Sequence, residues 1–244
     1  AKAIIWLTRA AAAGEAGAQS NLGYAFATGT GVAQDDAEAL RWYTAAADQG
    51  LIRAIAALAE LKEMGRGAPP DFDGAIDLYV RAARSGSAPA AWKLGTLIAD
   101  GKLMPSIEPE MAAVWVNSAA TKGHESAVSW LESQAAAGDI QASALLANLY
   151  IEGLGIKADA ARGAELFRVA SEAGDVHAQL ELSLLYARGE GVEQDYVAAH
   201  KWANLAATAG VEEALVARDT VAKLMTAEQV SQAQQQARVF LEGK

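Results

Sequence analysis

The chain has 244 residues, with 30 Asp+Glu against 20 Lys+Arg, a formal net charge of -10 and no cysteine. This balance repels phosphate backbones and anionic lipid surfaces, and the lack of thiols removes cysteine nucleophiles, Cys-ligated zinc, iron–sulfur clusters and disulfide staples. Hydrophobic residues make up 52% and aromatics only 7%, so alanine carries the apolar fraction and an all-helical chain is expected.

From the start of the chain, Ala1 to Gly14 has no basic start followed by a continuous apolar stretch, and instead places Trp6 and Arg9 in helical spacing. It is not a signal peptide. It matches a second helix without its first, and at least one more helix is expected upstream. No apolar run approaches the roughly 20 residues that a bilayer span needs. Short Ala-Ala-x-x-Gly endings then recur at Gly14, Gly50, Gly86, Gly123, Gly174 and Gly210, at intervals of 36, 36, 37, 51 and 36. The interval of 51 divides at Gly138 into 15 and 36. A unit of about 36 residues therefore runs through nearly the whole chain, and each unit reads as two helices.

The first helix of each unit repeats Ala, Leu, a small residue and a large apolar residue on one stripe: Ala18, Leu22, Gly23 and Phe26; Ala90, Leu94, Gly95 and Ile98; Ala142, Leu146, Ala147 and Tyr150; Ala178, Leu182, Ser183 and Tyr186. Such a stripe is the buried face that a period of 3.6 requires. The second unit keeps Ala54, Leu58 and Ala59 but has Lys62 in the aromatic's place. Lys62 either snorkels or causes a local repacking, with repacking preferred. Gly-x-Gly links follow at Gly29/Gly31, Gly65/Gly67, Gly153/Gly155 and Gly189/Gly191, as a helix C-terminus and tight turn need. An acid, Asp35, Asp71, Glu108, Asp159 or Asp195, then precedes each second helix, where it caps backbone N–H groups.

Residues 18 to 50 read A-x-x-x-L-G-x-x-F-x-x-G-x-G-V-x-x-D-x-x-x-A-x-x-W-Y-x-x-A-A-x-x-G, which resembles the Sel1-like repeat, a relative of the tetratricopeptide repeat. The resemblance covers five full helix pairs, ending at residues 50, 86, 123, 174 and 210, plus the half pair ending at Gly14. It implies an all-α, right-handed α/α solenoid whose first helices line a concave surface that binds other proteins, often in bacterial envelope assembly, regulation or host contact. Residues 1–123 are expected to form a first stack, 124–138 a single bridging helix, 139–210 a second stack and 211–244 C-terminal capping helices. The bridge either alters the course of the array or packs without special effect. Thr226 and Gln229 fit a capping box that opens a last helix to about Leu241.

No catalytic or cofactor signature stands out. The Gly-x-Gly pairs follow helices, whereas a dinucleotide site needs them after a strand. His124, His177 and His200 lack metal-ligand spacing, and neither a G-x-S-x-G elbow nor an S-x-x-K is present. No cofactor, no metal and no enzymatic activity are expected. Some relatives are β-lactamases with disulfide-stapled repeats, which a chain without cysteine does not match.

Trp6, Trp42, Trp115, Trp130 and Trp202 all lie eight before a closing glycine, as packing residues would. Trp92 departs from this, lying nine before Gly101 on a first helix and on the face opposite the core stripe. By the resemblance that face looks into the concave groove, with Lys93 beside Trp92 and Arg53 and Glu60 on the preceding first helix. The same face elsewhere carries Ser20, Asn21 and Tyr24, then Gln141 and Asn148, then His177, Glu181 and Arg188. This mixed polar lining suits a peptide or helix partner and has no selectivity for phosphate. Three readings follow: a non-enzymatic scaffold for a protein or peptide partner, a carbohydrate- or peptidoglycan-binding envelope protein, or an enzyme with a dispersed site, in that order. No nucleic acid and no membrane insertion are expected, and nothing indicates a homo-oligomer. An extracytoplasmic location is favoured over the cytoplasm.

Overall fold

The structure, a computed structural model, describes residues 2–102 and 111–243. Every element among the described residues is a helix. The chain forms two compact units, Ala1–Ala119 and Ala120–Lys244. The first unit holds α1 (Lys2–Ala12), α2 (Ala16–Thr28), α3 (Asp36–Asp48), α4 (Ile52–Met64), α5 (Phe72–Arg84), α6 (Ala88–Ala99) and α7 (Met111–Ala120), whose last residue falls at the boundary. The second holds α8 (Glu125–Ala136), α9 (Ile140–Glu152), α10 (Ala160–Ala173), α11 (Val176–Arg188), α12 (Tyr196–Thr208), α13 (Glu212–Ala222) and α14 (Ala227–Glu242). Each unit is a stretch of α/α solenoid in which sequential helices pack as antiparallel neighbours.

The helix ends follow from local chemistry. Gly29, Gly65, Gly153 and Gly189 close α2, α4, α9 and α11 in the left-handed conformation, where a Cβ is unfavourable. Asp35, Asp71, Asp159 and Asp195 each accept hydrogen bonds from N–H groups in the first turn of the following helix. Glu108, the acid expected before α7, lies outside the described residues. Ser87, Asp139 and Asp175 cap first helices in the same way. Thr226 and Gln229 form the reciprocal capping box of α14.

The first-helix stripe is buried as the periodicity requires, with Leu22, Leu94, Leu146 and Leu182 almost without exposure. Its small residues decide how closely the second helix approaches. A Cβ at Gly23 would lie 2.9 Å from the Tyr43 ring of α3, and one at Gly95 would overlap Val116 of α7. The second helices contribute Ala39, Ala46 and Ala47 on α3, and Ala75, Ala82 and Ala83 on α5, all buried.

The tryptophans bear out the packing role only in part: Trp202 belongs to the core and Trp42 packs against the cluster of Ala11, Ala18 and Leu22, while Trp6 is open to solvent. The core place on a second helix lies seven before the closing glycine, where Tyr43, Tyr79, Val116 and Phe167 are buried. One residue earlier is rotated by about 100°, and there Trp42, Trp115 and Trp130 are half-buried while Trp6 is 68% exposed. Trp202 is buried at 5% because α14 covers it, setting the Phe240 ring edge-on at 5.3 Å. On α12 the place seven before is the small Ala203, which leaves room for this arrangement.

Residues 125–136 do form a single helix, α8, with Ala127 and Leu131 buried as on a first helix. Its Glu132 Oε1 accepts from the Tyr150 hydroxyl at 2.7 Å and from Arg162 at 3.1 Å, tying α8 to α9 and α10.

The second glycine of each Gly-x-Gly link has a further role. Gly67 lies against the backbone of Asp36 and Ala37, where α3 begins, and Gly191 against that of Ala160 and Ala161, where α10 begins. The loop of one pair thus rests on the N-terminus of the second helix in the pair before it. Both glycines also have positive φ, so alanine there suffers backbone strain and a clash with a carbonyl that cannot rotate away. Gly50 has the same strain with open space around it. Gly50→Ala is expected to cost about 1 kcal/mol and Gly67→Ala or Gly191→Ala about 3 kcal/mol or more, measured as the shift in urea-unfolding midpoint.

Candidate functional site

In the first unit the residues singled out from the sequence gather in two hollows. The first, of about 240 Å³, is lined by Ser20, Asn21, Tyr24, Tyr43, Arg53 and Ala57. Tyr24 stands 58% exposed at its rim, while Ser20 is buried rather than presented. Arg53 crosses from α4 to α2, donating to Gly17 O and to Asn21 Oδ1, both at 3.2 Å.

The second hollow, of about 300 Å³, is lined by Glu60, Glu63, Met64, Tyr79, Pro89, Trp92 and Lys93. Glu60 and Glu63 come from α4, Tyr79 from α5, and Pro89, Trp92 and Lys93 from α6. Pro89 occupies the first turn of α6, where its missing N–H is not needed. Lys93 Nζ lies 2.9 Å from Glu63 Oε1. The Tyr79 hydroxyl donates to Glu63 Oε2 at 2.8 Å. Trp92 is half-buried against this frame.

These hollows occupy equivalent places one repeat apart. A step of 36 residues carries Tyr24 to Glu60, Tyr43 to Tyr79, Arg53 to Pro89 and Ala57 to Lys93. A second-helix tyrosine floors each, and only the lining on the first helices differs. The first hollow presents a cation, whereas the second contains two carboxylates against one ammonium.

Burial sets the electrostatics. It pushes the Glu60 carboxyl up from the usual carboxylate range; Lys93 opposes the shift and Glu63 adds to it. Burial raises Tyr43 to about 12. Tyr79 is raised further, first by burial and then by its bond to Glu63.

In the second unit the expected residues stay spread along α9 and α11. Gln141, Asn148, His177 and Arg188 are exposed, Asn148 donates to Ala144 O of its own helix at 3.2 Å, and Arg188 lies 3.9 Å from Glu190. Glu181 is half-buried, and burial raises its carboxyl against the opposing pull of Arg188.

Lys62 is half-buried and turns its charged head towards the link that follows, as the snorkelling alternative expects. Its ammonium reaches Asp71 Oδ2 at 2.6 Å, binding the acid that caps α5. This bond, with that from Gly74 N–H, holds the Asp71 carboxyl below its usual range. Glu63, Met64, Tyr43 and Tyr79 were not singled out from the sequence as site residues. The 36-residue recurrence of the two tyrosines was the signal available for them. Among the described residues no group of three or more His, Asp or Glu side chains is placed to hold a metal ion, and no helix is long and apolar enough to cross a membrane.

Stacked helix pairs of this length, with small-residue seams and glycine links, define an α/α repeat protein. The chain belongs to the Sel1 repeat family, whose repeat model matches residues 1–15, 16–51, 52–87, 88–124, 140–175 and 176–211. The unmatched stretch between the fourth and fifth segments contains α8. Among solved structures the chain is similar to a protective antigen present in uropathogenic Escherichia coli strains, described as displaying an SLR fold, at 26% identity and a TM-score of 0.47 over 98% of this chain. The chain spans 64% of that antigen's length. It is also similar to a Sel1 repeat protein from Oxalobacter formigenes, at 27% identity and a TM-score of 0.42, covering 94% of this chain and 84% of the other. An immunity protein from Pseudomonas aeruginosa matches at 22% identity and a TM-score of 0.35, covering 82% of this chain and 68% of that one. No curated protein matches the sequence.

The tyrosines give a direct check of this geometry. In the unfolded chain they ionise near the ordinary 10.0, while Tyr43 and Tyr150 keep their protons to about 12 in the folded chain and Tyr79 keeps its proton beyond that. The unfolded state thus releases protons first, so stability is fully present below pH 10 and falls as pH rises through 10 to 12. Spectrophotometric titration of the phenolate band is expected to show three late-ionising tyrosines, and Tyr79→Phe is expected to remove the latest.

Proposed function

We propose that this chain is a non-enzymatic scaffold that holds a protein or peptide partner on its first-helix faces, with the hollow around Trp92 in the first unit as the principal anchor. The observation that carries the reading is the pair of repeat-related hollows on α2, α4 and α6. Their polar walls are already held by bonds within the chain, Arg53 to Asn21 and Lys93 to Glu63. A partner that docks there meets ordered side chains, so little further ordering entropy is lost on binding. An aromatic wall beside paired charges is the composition of an interface anchor. Sel1 repeats generally mediate protein interactions, which agrees with this use of the surface. In the second unit, Gln141, Asn148, His177, Glu181 and Arg188 are assigned a secondary role as hydrogen-bonding contacts along α9 and α11.

The setting that fits this role is bacterial envelope assembly or regulation outside the cytoplasm, in keeping with the frequent extracytoplasmic location of the family. A sugar ligand is the second reading, because Tyr24 and Trp92 place two aromatic rings at the mouths of the hollows.

Affinity capture from an extract of the native organism tests the proposal, using the intact chain and a Trp92→Ala, Lys93→Ala double variant as parallel baits. A protein held by the intact chain and lost with the variant is the expected result, with the thermal midpoint changing by no more than a few degrees, as a half-buried substitution of about 1 kcal/mol permits. Equal retention by both baits overturns the assignment to Trp92. Retention of glycans with no protein shifts the reading to the envelope-carbohydrate alternative.

A further inference from the structure

We infer that the hollow between α4, α5 and α6 is a receptor for one cationic side chain, the guanidinium of an arginine in the partner's peptide segment. This inference rests on the scaffold reading and names the chemistry that the Trp92 anchor recognises. The argument begins with charge. The lining has two carboxylates, Glu60 and Glu63, and one ammonium, Lys93. Glu63 is fully engaged, one oxygen with Lys93 at 2.9 Å and the other with the Tyr79 hydroxyl at 2.8 Å. Glu60 forms no ion pair among the described residues; Lys93 and Arg66 lie near enough to favour its charged form, but it is the carboxylate of the hollow with no bonded cation. A single incoming cation neutralises it.

Shape and chemistry narrow the cation further. At about 300 Å³ the hollow is at the small end of ligand sites, large enough for a side chain rather than a whole cofactor. Its walls are the Trp92 ring, Met64, Pro89 and the Tyr79 ring, with the acids at one side. A planar guanidinium stacks on an indole face and offers a fork of donors to a carboxylate, whereas an ammonium offers a point charge. Partial desolvation of Glu60 makes a charge-assisted pair there stronger than on open surface. The protein's net charge of -10 also favours approach of a basic segment.

The neighbouring hollow supplies a built-in contrast. It has the same tyrosine floor one repeat earlier, but Arg53 is among its lining residues and no carboxylate is. A cationic side chain is repelled there and accepted one repeat on.

The test uses the full-length chain labelled with nitrogen-15, reading the indole N–H resonance of Trp92 assigned through Trp92→Phe. Acetyl-Gly-Arg-Gly-amide is titrated against two controls, the same peptide with citrulline, which keeps the shape and removes the charge, and with glutamate. The expected result is a saturable shift with the arginine peptide alone. Glu60→Gln weakens it by about fivefold or more, and Arg168→Ala on α10 of the second unit leaves it unchanged. No shift with arginine, an equal shift with citrulline, or an unaltered affinity in Glu60→Gln overturns the inference. The two levels separate cleanly. If a captured partner depends on Trp92 while the arginine peptide does not bind, the scaffold reading stands and the cationic receptor falls.

Discussion

The structure depends on how closely neighbouring helices approach through their small side chains. Leu94 and Leu22 fill the core beside Gly95, which lets the backbone of α7 come close, and Gly23, which admits the Tyr43 ring of α3. Alanines such as Ala39, Ala46 and Ala75 form the opposing surface without exposure. Such a seam gains little per residue from burial, so it must recur to produce stability, and recurrence makes the molecule an array. The links obey the same limit. Gly67 and Gly191 rest on the backbone at the start of the preceding second helix, and Arg66 in the same link binds the Asp36 carboxylate there and donates to Ala27 O at 2.7 Å.

Close packing of the backbones also produces the hollows. Where the residue seven before a closing glycine is large it reaches into the seam, and at Tyr43 and Tyr79 its ring lines a hollow on the first-helix side. Because the floor is structural, the lining above it can vary without disturbing the repeat. Arg53 and Tyr24 stand over one floor, Glu60, Trp92 and Lys93 over the next. One geometry thereby carries different linings, whose chemical identity is set by a few residues on the free face of each first helix.

Charge has two separate uses. Acids at helix starts, among them Asp35, Asp159 and Asp195, satisfy backbone N–H groups and are committed to the fold. Glu132, bound by Tyr150 and Arg162, ties helices together in the second unit. Glu63 has a comparable role in the first, bound by Tyr79 and Lys93. Glu60 differs from these, since burial raises its carboxyl and no ion pair holds it among the described residues.

The repeat period, the glycine links, the cap acids and the terminal capping box were all legible in the sequence, because each is a local rule written in residue types at fixed separation. The family and the all-helical fold followed from these. The tryptophans at the common repeat position were read alike as packing residues, which holds for Trp202 and Trp42 and fails for Trp6, because spacing along a helix fixes direction but not what stands opposite. Trp202 is buried by Phe240 of α14 and Trp6 is open to solvent, although both occupy the same repeat position. Lys62 likewise turned to Asp71, nine residues on, which only the folded link brings within reach. Periodicity placed Trp92 and Lys93 on the free face of α6 and Arg53 and Glu60 on that of α4, and only the family resemblance put them in a common groove. That Trp92, Lys93 and Glu60 share a hollow with Glu63 and Tyr79, while Arg53 belongs to a different one with Asn21 and Tyr24, was decided by tertiary structure. Neighbours across helices are chosen by side-chain length and by the approach of backbones, and neither quantity is carried by the order of residues along a single helix.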